Sequence, residues 1–76
     1  MPDKPAGDVI RTHLLRVMGE VAAPLSTADL RQHLADQLHG HIVNETVYRS
    51  LCILERRKEV ERLPRAGRHT LWVPRL

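Results

Sequence analysis

Apolar residues recur at helical spacing in three stretches of the chain and then give way to alternation. In VIRTHLLRVMGEV, Val9, Ile10, His13 or Leu14, Val17, Met18 and Val21 return at steps of three and four, which predicts an amphipathic first helix with Asp8 as its N-cap. Pro24 stops that run. The next stretch, LSTADLRQHLADQL, opens with Ser26 three residues ahead of Asp29, a short-chain variant of the capping box, and carries Leu30, Leu34 and Leu38 as its stripe. Gly40 is expected to take the positive φ that ends this second helix. Ile42 and Val43 lead into a third helix over residues 44–57, NETVYRSLCILERR.

Beyond Lys58 the period becomes that of a strand. Val60 and Arg62 belong to one short run, Pro64 to Gly67 form a turn, and His69 to Val73 form a second run that Pro74 closes. Three helices followed by a two-stranded hairpin with a basic tip make an α+β, mainly α chain with the element order of a winged helix-turn-helix. The second and third helices form the helix-turn-helix and the hairpin forms the wing. Residues 1–7 read as a flexible tail and 8–76 as one winged-helix domain.

Length agrees with a single domain: a chain of 76 residues buries only roughly 60% of the surface it exposes unfolded, which leaves no room for an enzyme-sized cleft. No enzyme is expected. There is no Phe, and the only aromatics are Tyr48 and Trp72, so Trp72 on the last strand reads as the anchor that pins the wing onto the helices. The single cysteine, Cys52, excludes an internal disulfide and the multi-cysteine zinc frameworks. His33, His39 and His41 gather before the third helix, but with one cysteine they match no structural zinc spacing, and no metal or cofactor is expected. No glycine-rich phosphate loop occurs. No apolar run reaches signal or membrane-spanning length, which points to a cytoplasmic protein without a membrane partner.

Charge changes the picture more. Residues 1–40 hold four basic and five acidic side chains, whereas residues 41–76 hold eight basic and four acidic. Such a gathering suits a polyanionic partner, although a charge run also serves simply to solvate a face. On an ideal helical wheel centred on Leu51, Val47, Leu54 and the stem of Lys58 form the core stripe of the third helix, and Glu45, Thr46, Arg49, Cys52, Ile53 and Arg56 fall on the opposite half. Tyr48 and Ser50 flank them. If this helix enters a major groove, Arg49 suits a bidentate contact to guanine, Thr46 a thymine methyl or a phosphate, and Tyr48 a phosphate, with Tyr48 and Ser50 at the rims and Arg56 a further DNA-binding candidate on the groove half. Arg65 and Arg68 lie at the hairpin tip, within reach of the minor groove or the flanking backbone.

The stretches LSTADLRQHL, NETVYRSLCIL and VERLPRAGRHTLWV resemble the DNA-binding half of the ferric uptake regulator family, whose third helix commonly carries a TVYR-x-L run followed by a wing. Thr46, Val47, Tyr48, Arg49 and Leu51 carry the resemblance, which covers roughly residues 9–74. It implies a winged helix that binds DNA. The family continues into a metal-binding dimerisation domain rich in His and carboxylates, which this chain, ending at Leu76, is expected to lack. A glycine expected between the third helix and the wing is replaced by Lys58 or Glu59. Metal sensing and the dimer are therefore not carried over.

The expectation is a small sequence-specific reader of double-stranded DNA, of the transcriptional-regulator type, with the third helix in the major groove and residues 64–68 on the minor groove or backbone. A module this small contacts few base pairs, so self-association or a larger protein partner would supply affinity. A winged helix also serves as a protein-interaction module. In that alternative, Ile53 and Cys52 with the basic rim dock on an acidic partner.

Overall fold

The computed structural model describes residues 7–21, 23–63 and 70–75. The tail residues 1–6, the turn with Arg65 and Arg68, His69 and Leu76 lie outside the described residues, so the expectations placed on them do too. The order is α1 (Gly7–Glu20), β1 (Leu25–Ser26), α2 (Thr27–Leu38), α3 (Asn44–Arg56), β2 (Val60–Leu63) and β3 (Leu71–Pro74). This is the expected mainly helical arrangement with a hairpin, plus a third strand.

In α1 the buried residues are Ile10, Leu14, Val17 and Met18, so Leu14 rather than His13 occupies the stripe, and Val9 is exposed. His13 instead turns its Nδ1 to Gln37 Oε1 on α2, 3.2 Å away. Asp8 is not the N-cap, because the helix already includes Gly7. One residue inside the first turn its carboxylate still meets the positive end of the helix dipole, which explains why an acidic residue suits either position.

The capping box at the head of α2 forms as read. Asp29 N–H donates to Ser26 Oγ at 3.1 Å, and Ser26 N–H donates to Asp29 Oδ2 at 3.3 Å. At the other end the positive φ falls on His39, at 51°, and not on Gly40. The helix stops one residue earlier than expected, and histidine is among the few side chains that tolerate this conformation.

Helix α3 leaves by a complete Schellman turn: Lys58 N–H bonds Glu55 C=O at 3.0 Å and Glu59 N–H bonds Leu54 C=O at 2.9 Å. Lys58 therefore sits where a glycine is usual, with φ 63°. Its stem is not part of the core stripe, because the helix has ended and the helical wheel no longer applies; the side chain is exposed.

The sheet is antiparallel with order β1-β3-β2. β2 pairs with β3 from Val60 opposite Pro74 to Leu63 opposite Leu71, and β1 pairs Leu25 with Trp72 and Ser26 with Leu71. The two residues of β1 were unreadable as a strand, since a pair has no periodicity; they pair because β3 presents a free edge beside them. One continuous core joins Leu14, Leu30, Leu34, Val47, Leu51, Leu54, Val60 and Trp72, with Trp72 wholly inaccessible.

Candidate nucleic-acid interface

Helix α3 divides along its length. Val47, Ser50, Leu51 and Leu54 are buried against α1, α2 and the sheet, and Asn44, Glu45, Tyr48, Arg49 and Arg56 are exposed. Thr46, Cys52 and Ile53 lie half-buried at the margins. Seven residues separate Arg49 from Arg56, about two turns and roughly 10 Å along the axis, so both guanidinium groups leave the same side of the helix.

Ser50 corrects the sequence reading: it is 5% exposed and faces the core rather than a rim. The stripe is centred between Val47 and Leu54, not on Leu51, and that offset of about 50° carries Ser50 inward and Tyr48 outward. Tyr48 is 42% exposed.

The tyrosine ring is held from beneath. It meets Trp72 edge-to-face with centroids 6.1 Å apart, and the Arg62 guanidinium lies 5.7 Å from the Tyr48 centroid and 4.9 Å from that of Trp72. Arg62 Nη2 also donates to Glu55 Oε1 at 3.1 Å. Burial works against the charge of Arg62, but the Tyr48 hydroxyl and the Glu55 carboxylate outweigh it and hold its pKa above the ordinary arginine value. Trp72 Nε1–H donates to Thr27 Oγ1 at 3.0 Å. This chain of contacts fixes β2 and β3 against α3 and leaves the Tyr48 edge open to solvent. Arg62 and Glu55 were visible in the sequence as charges, but only the pairing of Arg62 with Trp72 across the hairpin brings them under Tyr48.

A depression of about 460 Å³ opens between the heads of α2 and α3, lined by Ser26, Thr27, Ala28, Asn44, Glu45, Tyr48 and Thr70. Its rim is rich in hydroxyls, and the start of α3 has no side-chain cap, so the N–H groups of its first turn keep their donor capacity. Arg49 Nη2 donates to Glu45 Oε2 at 2.7 Å, with both side chains largely in solvent. Among the described residues no three His, Cys, Asp or Glu side chains meet as a metal site requires, and no helix is long and apolar enough to cross a membrane.

No protein-family profile matches the sequence, and no curated protein matches it. Likeness is found in three dimensions. The ferric uptake regulator of Vibrio cholerae superposes with a TM-score of 0.78 at 24% identity, over 96% of this chain and 54% of that one. The chain is a winged helix. The winged helix matches the regulator from Francisella tularensis with a TM-score of 0.73 at 23% identity, covering 86% of this chain and 49% of the other. It also matches HOP2, a protein with DNA recognition and protein interaction domains, with a TM-score of 0.73 at 20% identity over 86% and 97% of the two chains. It spans about half the length of the two regulators and resembles their DNA-binding domains.

Proposed function

We propose that this winged helix binds double-stranded DNA, with α3 in the major groove and residues 64–68 against the minor groove or backbone. The observation that carries the reading is the division of α3. Its inner face is consumed by the core, while Arg49, Arg56 and Tyr48 stand outward to solvent. Arg49 reads guanine, Thr46 meets a thymine methyl or a phosphate, the Tyr48 hydroxyl meets a phosphate, and Arg56, Arg65 and Arg68 hold phosphates. Tyr48 suits its role because Trp72 and Arg62 fix its ring, so little freedom is lost when the hydroxyl is engaged. Resemblance to the regulators' DNA-binding domains supports the same reading and a role in transcription. Self-association or a larger partner would supply the affinity that a single small module lacks.

Fluorescence-anisotropy titration against a pool of duplexes at two salt concentrations tests it. Binding should strengthen at low salt and, for a subset of sequences, survive competitor. Arg49→Ala should reduce discrimination at one base pair by about 1–3 kcal/mol, and Arg56→Ala should weaken all duplexes alike and flatten the salt dependence. Absence of binding at low salt would refute the proposal.

One observation favours protein contact elsewhere on the molecule. A largely apolar hollow of about 360 Å³, lined by Met18, Gly19, Val21, Ala23, Pro24, Val73 and Pro74, has no residue from α3. A protein docked there would leave the DNA-reading face free.

A further inference from the structure

A carboxylate on a surface that meets phosphates works against binding, and α3 carries one. Glu45 lies beside Arg49 on the exposed face and also lines the depression at the head of the helix. The other acid of α3, Glu55, is occupied with Arg62 beneath Tyr48. Fold stability gives little reason for the Glu45–Arg49 pair: the two side chains are 69% and 75% exposed, and an exposed pair one turn apart contributes little.

The geometry of the pair gives another reason. Arg49 donates to Glu45 through Nη2, at 2.7 Å. Nη2 carries two hydrogens, so the bond uses one and leaves the second, with those of Nη1, to form the two-donor edge that guanine O6 and N7 accept. An arginine held in this way keeps its base-reading edge and loses much of its freedom to swing onto phosphates.

We infer that Glu45 sets base selectivity by positioning Arg49: its carboxylate orients the guanidinium toward guanine and repels the phosphates that would otherwise capture it. The inference rests on the DNA-binding reading of α3. Without Glu45, Arg49 becomes a free cationic arm that any phosphate satisfies. Unrelated duplexes then bind more tightly, and discrimination between sequences falls.

The test uses four proteins: the parent, Glu45→Ala, Arg49→Ala and the double variant. Each is titrated against the duplex that the parent selects from a random pool and against single G·C to A·T replacements across it, with thermal melting measured alongside. Glu45→Ala should lower the preference for the selected duplex about tenfold, the size of one good base contact, and tighten binding of the replaced duplexes. Its melting temperature should stay close to the parent's, which separates selectivity from support of the helix terminus. In the Arg49→Ala background, removing Glu45 should leave the preference unchanged. A selective parent whose preference survives Glu45→Ala would overturn this inference and leave the proposed function standing. An equal loss in the Arg49→Ala background would also overturn it, since Glu45 would then act without Arg49. A parent that selects no sequence would remove the DNA-reading proposal and the inference together.

Discussion

Lys58 offers the sharpest test of how this chain is held. It adopts φ 63° at the exit of α3, and the flanking bonds, Lys58 N–H to Glu55 C=O and Glu59 N–H to Leu54 C=O, prevent the backbone from relaxing without losing both. A side chain in this conformation crowds its own Cβ against a carbonyl oxygen at a cost of about 1–2 kcal/mol. Glycine removes that crowding but gains unfolded-state freedom worth about 0.5–1 kcal/mol. Lys58→Gly should therefore stabilise the fold by about 0.5–1 kcal/mol. The Lys58 side chain is exposed and makes no hydrogen bond or ion pair among the described residues, so no contact offsets the gain. For 76 residues the average unfolding entropy is about 0.16 kcal/mol/K, which converts the gain to a rise in melting midpoint of about 3–6 °C. Far-UV circular dichroism at fixed protein concentration would read it, with Lys58→Ala as control. Alanine keeps the Cβ and removes the charge, so it should melt with the parent. A glycine variant that melts no higher than the parent, or an alanine variant that matches the glycine gain, would refute the backbone explanation.

Two further substitutions address the cluster under Tyr48. Thr27→Val removes the acceptor of the Trp72 indole N–H, whose ring is wholly buried, and should cost about 1–3 kcal/mol; Thr27→Ser should restore most of it in denaturant titrations followed by Trp72 fluorescence. Arg62→Lys keeps the charge but gives up stacking on Trp72 and Tyr48, and should lower stability by about 1 kcal/mol by the same assay, a small figure because the Arg62 and Glu55 side chains are both partly in solvent and the buried Arg62 Nε meets no acceptor among the described residues.

Several features of this protein were determined by neighbouring residues alone. The leucine stripe of α2, the reciprocal bonds between Ser26 and Asp29, and the switch from helical to alternating period after Lys58 depend on spacing within a few residues, and the structure shows each. The outward positions of Arg49 and Arg56 were legible for the same reason, as was the likeness carried by Thr46 to Leu51. Helix ends were less legible, because Asp8, His39 and Gly40 each have a local chemistry that suits more than one cap position.

Tertiary structure decided what depended on a distant partner. Two residues become β1 only because β3 lies beside them. Ser50 and Tyr48, both expected on the flanks of α3, part company, Ser50 buried and Tyr48 exposed, because the space between α1, α2 and the sheet, rather than an ideal wheel, sets which arc of α3 is buried. The seating of Tyr48 on Trp72 and Arg62 joins residues separated by 24 and 14 positions, a closeness that periodicity cannot express. Sequence period thus determined which residues can share a face, and packing determined which of those faces meets solvent.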